Sequence, residues 1–176
     1  ITPSTKLYVL RASVSLRGRG FVVYEECHPE EKYNNQLIHK AFLNQLKRLL
    51  PQSVQPIIVT DAGFRAPWFS YILELGWHFV GRLRNKNLLR MNGSSTWKLS
   101  SDFFEQALTK PVYAGSGLLT KERMVPVHNV LYKEKTKGRH RLNCYKKISA
   151  DGMSVRYTRA AKEPWLLVSS LPQAPK

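Results

Sequence analysis

One carboxylate in this chain stands where chemistry can use it. Asp61 closes the apolar run "PIIVT" and opens the turn Asp61-Ala62-Gly63, beyond which aromatic residues follow in "FRAPWF". The C-terminal end of a buried strand is where functional groups converge in an open α/β sheet. Its hard oxygen atoms suit Mg2+ or Mn2+. The same side chain equally suits an Asx-turn with Gly63 or a cap on the helix that follows. Local pattern leaves both roles open.

Other reactive groups carry weaker signals. Glu25 and Glu26 end a strand beside Cys27 and His28, as a small metal cluster or, more commonly, as a solvated strand end. His39 falls between apolar residues of a predicted helix and reads as a partly buried structural histidine. Ser13, Ser15 and His128 form no nucleophile motif, and "GRG" and "GSG" lack the strand–turn–helix context of a phosphate-binding loop. Arg82, Arg84 and Lys86 alternate along a strand and its exit, so they can share one face and meet phosphates, or simply charge an edge strand. Trp165 opens the apolar strand of "KEPWLLVSSLP", as core or as a platform for an unstacked base.

Charge narrows the choice of partner. Lys and Arg number 28 against 12 Asp and Glu, a formal +16. Residues 1–81 hold 9 basic and 6 acidic side chains, whereas residues 82–176 hold 19 and 6. Self-repulsion of that size is offset by a polyanion, and nucleic acid is the default one. No run of about 18 apolar residues exists to span a membrane. Cys27 and Cys144 are isolated thiols without metal spacing, which fits a reduced cytosolic compartment best, with a single disulfide as the alternative. The first residues lack signal-peptide features, and the missing initiator Met suggests a fragment or processed product.

The elements that must position these groups are legible in part. "KLYVLRASVSL" and "GFVVYEECH" read as a hairpin around "RGRG". "NNQLIHKAFLNQLKRLLP" has helical apolar spacing and ends at Pro51. "QPIIVTD" reads as a buried parallel strand, "APWFSYILELG" as a helix, and "WHFVGRLRN" as another strand. That order is α/β up to about residue 85. Beyond it only "SSDFFEQAL" looks helical, with Ser100 or Ser101 as cap; the rest is short β-prone pieces carrying most of the charge. "YKEKTKGRHR" reads as an exposed hairpin tip or loop.

Taken together, "VTDAGFRAPWFSYILELGWHFVGRLRN", "YVLRASVSLRGRGFVVYEE" and "AKEPWLLVSSLP" resemble, in the same order, the bacterial DDE transposases of the insertion-sequence-four type. The resemblance implies an α/β fold: a ribonuclease H-like core over residues 1–85, a β-rich basic insertion over 86–164, and a return strand over 165–176. It implies cut-and-paste chemistry on double-stranded DNA at transposon ends, through DNA hairpins. In such enzymes Asp, Asp and Glu hold two Mg2+ or Mn2+ ions for in-line displacement at phosphorus. Asp61 matches the second Asp. Arg82, Arg84, Lys86, Lys162 and Trp165 fall at DNA-contacting positions, Trp165 at that of the residue facing an extruded base. A dimer in the synaptic complex and a nucleoid-associated place in the bacterial cytoplasm belong to the same implication.

Departures from the family pattern set further expectations. The family's first Asp precedes the opening hairpin, and its Glu lies on a helix after the return strand; neither is found here. The strand bearing that first Asp is central in the family's sheet, so the expected core is incomplete and the chain alone catalytically inactive. The competing expectation is a non-catalytic DNA-binding remnant of a truncated gene, and a third is an RNA-binding accessory protein.

Overall fold

The computed structural model describes residues 6–84, 87–134, 145, 147 and 163–172. Strands β1 (Leu7–Leu16) and β2 (Arg19–Pro29) form an antiparallel hairpin that pairs only with itself among the described residues. Arg17 and Gly18 turn it with φ of 46° and 78°, the two positive values of a type I′ turn that suits the twist of hairpin strands. Near its base the hairpin joins the core: Leu10 is buried, and Tyr24 stacks on Phe42 with ring centroids 5.1 Å apart. Toward its tip Val14, Leu16, Phe21 and Val22 are more than half exposed.

Helix α1 (Gln36–Leu49) starts where Asn35 Oδ1 accepts hydrogen bonds from the Leu37 and Ile38 amides, satisfying two otherwise orphaned donors. It buries Phe42, Leu43 and Leu46 on one face, and Lys47 and Arg48 complement its C-terminal dipole. Strand β3 (Ile57–Thr60), helix α2 (Ala66–Glu74) and strand β4 (His78–Leu83) make a βαβ unit with β3 and β4 parallel. Pro67 sits in the first turn of α2, and Gly76, at φ 76°, terminates it. The buried face of α2 is Ala66, Trp68, Phe69 and Ile72.

The expectation of a buried strand at β3 needs correction. It is parallel, but among the described residues only β4 pairs with it, and its other edge is open. Ile57 is 50% and Val59 74% exposed, because no described element covers that face. An apolar run alone does not distinguish a central strand from an edge.

Among the described residues a seven-stranded sheet runs in the order β3-β4-β9-β8-β7-β5-β6. It joins the α/β strands to β5 (Leu88–Met91), β6 (Lys98–Leu99), β7 (Val112–Leu119), β8 (Val125–Tyr132) and β9 (Trp165–Ser169). Strand β9 lies antiparallel between β4 and β8, pairing Leu166 with Leu83 on one side and with Leu131 on the other. The predicted helix at "SSDFFEQAL" is a 3₁₀ turn, Ser100–Gln106. Neither serine caps it. Asp102 Oδ2 accepts from the Leu99 amide, while buried Ser100 donates its hydroxyl to the Arg84 carbonyl at 2.6 Å. Of the expected β-prone pieces, "RLNCYKKIS" and "MSVRYTRA" lie almost wholly outside the described residues, as does most of the loop expected over Tyr132 to Arg141. No helix among the described residues is long and apolar enough to cross a membrane.

Candidate nucleic-acid interface

Asp61 immediately follows β3 and is exposed. Its Oδ1 accepts the Gly63 amide at 2.8 Å, closing the Asx-turn that the sequence allowed. A Cβ at Gly63 would stand 3.0 Å from that same oxygen, so the turn is built around a missing side chain. Oδ2 has no hydrogen-bond partner among the described residues. The turn and a metal-ligand role are therefore compatible, one oxygen serving each. Among the described residues, however, no group of three or more His, Cys, Asp or Glu side chains is arranged to hold a metal ion. Asp61 fits a hard cation as one ligand of a site, not as a site.

The residue level with Asp61 on the next strand is Arg82, since Thr60 pairs with Gly81. Strand β4 alternates: Phe79, Gly81 and Leu83 are buried on one face, whereas His78, Val80 and Arg82 lie on the other, partly buried. Close packing sets this alternation. A Cβ on Gly81 would meet the Phe69 ring at 2.4 Å, and Phe69 itself stacks on Phe79 at 4.6 Å.

Arg82 is held between two neighbours. Its guanidinium carbon lies 4.6 Å from the centroid of the Trp165 ring, and Nη2 lies 3.9 Å from Glu163 Oε2. The Arg82 and Glu163 side chains are only 19% and 22% exposed, yet Arg82 Nε and Glu163 Oε1 are both buried without a hydrogen-bond partner among the described residues. Desolvation pulls the Arg82 guanidinium below its ordinary pKa. Glu163 and Asp61 oppose that pull, and Arg84 adds to it.

Of the residues singled out in the sequence, Asp61, Arg82 and Trp165 come together at one end of the sheet, the C-terminal end of β3 and β4. Arg84 follows on the exit from β4 with an exposed side chain, its carbonyl fixed by Ser100 and by Asn87 Nδ2 at 2.8 Å. Lys86 and Lys162 lie outside the described residues. Glu163 escaped sequence reasoning. Its only signal was an acid one residue after Lys162 in a basic segment.

The remaining clusters resolve into structural roles. Glu26 is held by the Tyr24 hydroxyl and by His28 Nε2, the latter at 2.8 Å, while Glu25 pairs with Arg11 at 2.7 Å. Strand alternation thus splits the supposed Glu–Cys–His cluster between two faces. His39 is packed by Phe64 and Trp68 at centroid distances of 5.5 and 5.3 Å. His128 bonds to the Tyr113 hydroxyl at 2.9 Å. A cleft of about 350 Å³ runs between the unpaired flank of β1 and the open edge of β3, lined by Leu10, Ser13, Phe42, Val59, Asp61 and Trp68 among others.

Residues 5–160 match a family model described as a transposase DDE domain. No curated protein matches the chain.

Proposed function

Because this chain belongs to the DDE transposase domain family, we propose that its basic sheet end holds transposon-end DNA for metal-dependent phosphodiester cleavage and strand transfer. The family itself implies an enzyme acting on DNA in transposition. The finer reading, an insertion-sequence-four type enzyme of the hairpin-forming group, rests on the sequence resemblance. One observation carries the residue assignments: Asp61, Arg82 and Trp165 converge at the C-terminal end of β3 and β4.

In this reading Asp61 Oδ2 is one ligand of a two-metal site whose other carboxylates come from outside the described residues. Such a site activates the attacking oxygen and stabilises the leaving one. Arg82 and Arg84 neutralise backbone phosphates, and Trp165 offers a face to an unstacked base. Lys86 and Lys162 are proposed phosphate contacts on sequence grounds alone. The core is ribonuclease H-like, and the cleft between β1 and β3 supports a further strand lying there. Residues 86–164 form the insertion: β4 ends at Leu83, and the chain pairs back onto it from Leu166. The chain by itself is inactive, and a dimer in the synaptic complex within the bacterial nucleoid completes the proposal.

Two measurements test it. Binding to labelled duplex DNA should weaken linearly in log–log form as salt rises, with a slope near −0.9 per neutralised phosphate; a flat response sinks the electrostatic reading. Incubation of the 176-residue chain with Mg2+ or Mn2+ and transposon-end DNA should give no nicking. Robust nicking refutes the need for further carboxylates. Tighter binding to single-stranded RNA than to duplex DNA would favour the accessory-protein alternative.

A further inference from the structure

The pairing of Arg82 with Glu163 is a poor ion pair by its geometry. At 3.9 Å, Nη2 and Oε2 are beyond hydrogen-bond distance. Each partner also keeps a second polar atom, Nε and Oε1, buried and unpaired among the described residues. Two mostly buried ions in that arrangement carry their desolvation cost without the bidentate hydrogen bonds that normally offset it. Trp165 meanwhile fixes the guanidinium plane from one side. The site is thus a cation held in place and incompletely neutralised.

We propose that Glu163 is a positioning residue for Arg82: it stands as an internal anion where a DNA phosphate docks, and gives way when the phosphate arrives. The inference rests on the reading of Arg82 as a DNA contact and adds a gate to it. A phosphate oxygen pair can reach Nε and Nη2 together, which the carboxylate does not do. Displaced, Glu163 regains solvent for its buried Oε1. In the unbound protein the carboxylate keeps a mostly buried arginine partly neutralised and aimed along the Trp165 face. The exchange involves no covalent step.

The test is a binding series with fluorescein-labelled duplex DNA at fixed low salt. Glu163→Gln should tighten binding about fivefold, because it removes a like charge that opposes the incoming phosphate. Glu122→Gln, on an exposed turn, controls for loss of one negative charge anywhere and should do less. Glu163→Asp keeps the charge but withdraws the carboxylate by one methylene, so it should also tighten binding. In an Arg82→Ala background the Glu163 effect should vanish, a dependence that a merely structural role would not produce. Affinity unchanged or weakened in both Glu163 variants, with Arg82→Ala still weakening it, overturns the gate and leaves the DNA reading standing. Arg82→Ala without effect overturns both.

Discussion

The Arg82 guanidinium lies 4.6 Å above the Trp165 ring although the two residues are on different strands, β4 and β9, drawn from distant parts of the chain. The register that pairs Leu83 with Leu166 makes this contact. Neither residue reaches the other without the antiparallel return of β9. A cation over an indole face gains roughly 0.5–1 kcal/mol when exposed and about 2 when desolvated. That energy is enough to orient a long side chain.

Replacing Trp165 should therefore act through Arg82 as well as through any base it meets. Trp165→Ala is expected to weaken duplex DNA binding about three- to tenfold, while Trp165→Phe, which keeps a ring face, recovers most of the loss. Fluorescence anisotropy on the two variants reads this directly. Equal losses in Ala and Phe would rule out a ring-face role.

Gly81 is predicted to be intolerant of any side chain. A Cβ there would stand 2.4 and 2.5 Å from two atoms of the fully buried Phe69 ring. Phe69 is stacked on Phe79 and has nowhere to retreat. Gly81→Ala should cost about 1–3 kcal/mol, the usual range for overpacking a core. Urea unfolding measures it, and Gly81→Ala combined with Phe69→Leu should recover part of the loss.

Asp61 can be separated from its turn. Asn retains an acceptor for the Gly63 amide, so Asp61→Asn should leave stability within about 0.5 kcal/mol, whereas Asp61→Ala loses that bond and about 0.5–1.5 kcal/mol. In a transposase carrying the full set of carboxylates, both variants should abolish nicking. An active Asp61→Asn enzyme would falsify the metal-ligand assignment.

His39 makes stability depend on pH. Burial among Phe64 and Trp68, and to a lesser extent the nearby His28, lowers its pKa from the ordinary 6.5. The unfolded chain then binds the proton more tightly than the folded one. The stability this group contributes is complete above about pH 6.5 and is lost as pH falls from there through the lower folded value. His39→Gln should flatten that part of the curve of urea midpoint against pH. An unchanged slope would show that other groups set it.

Local elements were largely written in the sequence, and relationships between distant segments were not. Asn35 before an apolar helical pattern, Pro67 in a first turn, and Arg17-Gly18 between alternating strands each act within a few residues. Single-sequence reasoning sees such signals. Whether β3 is central or at an edge depends on a partner elsewhere in the chain, and the apolar run "PIIVT" gives no sign of it. Ser100 looked like a cap by residue type, but its hydroxyl instead serves the Arg84 carbonyl, sixteen residues earlier. Asp61, Arg82 and Trp165 were each visible as candidates. Glu163 was not, because its significance comes only from the register that brings it to Arg82.

That register also has a history in the making of the chain. Strand β9 takes hydrogen bonds on both edges, from β4 and from β8, so each of those two strands lacks a neighbour until β9 emerges. Between Leu83 and Leu166 a ribosome adding about 5–20 residues per second spends roughly 4–17 s. Through that interval the β4 edge stays bare, joined by the β8 edge once Tyr132 has been made, and pairing them with each other or with a neighbouring molecule is the competing outcome. Slowing synthesis should therefore lower the soluble yield of this protein, whereas supplying a chaperone that shields strand edges should raise it.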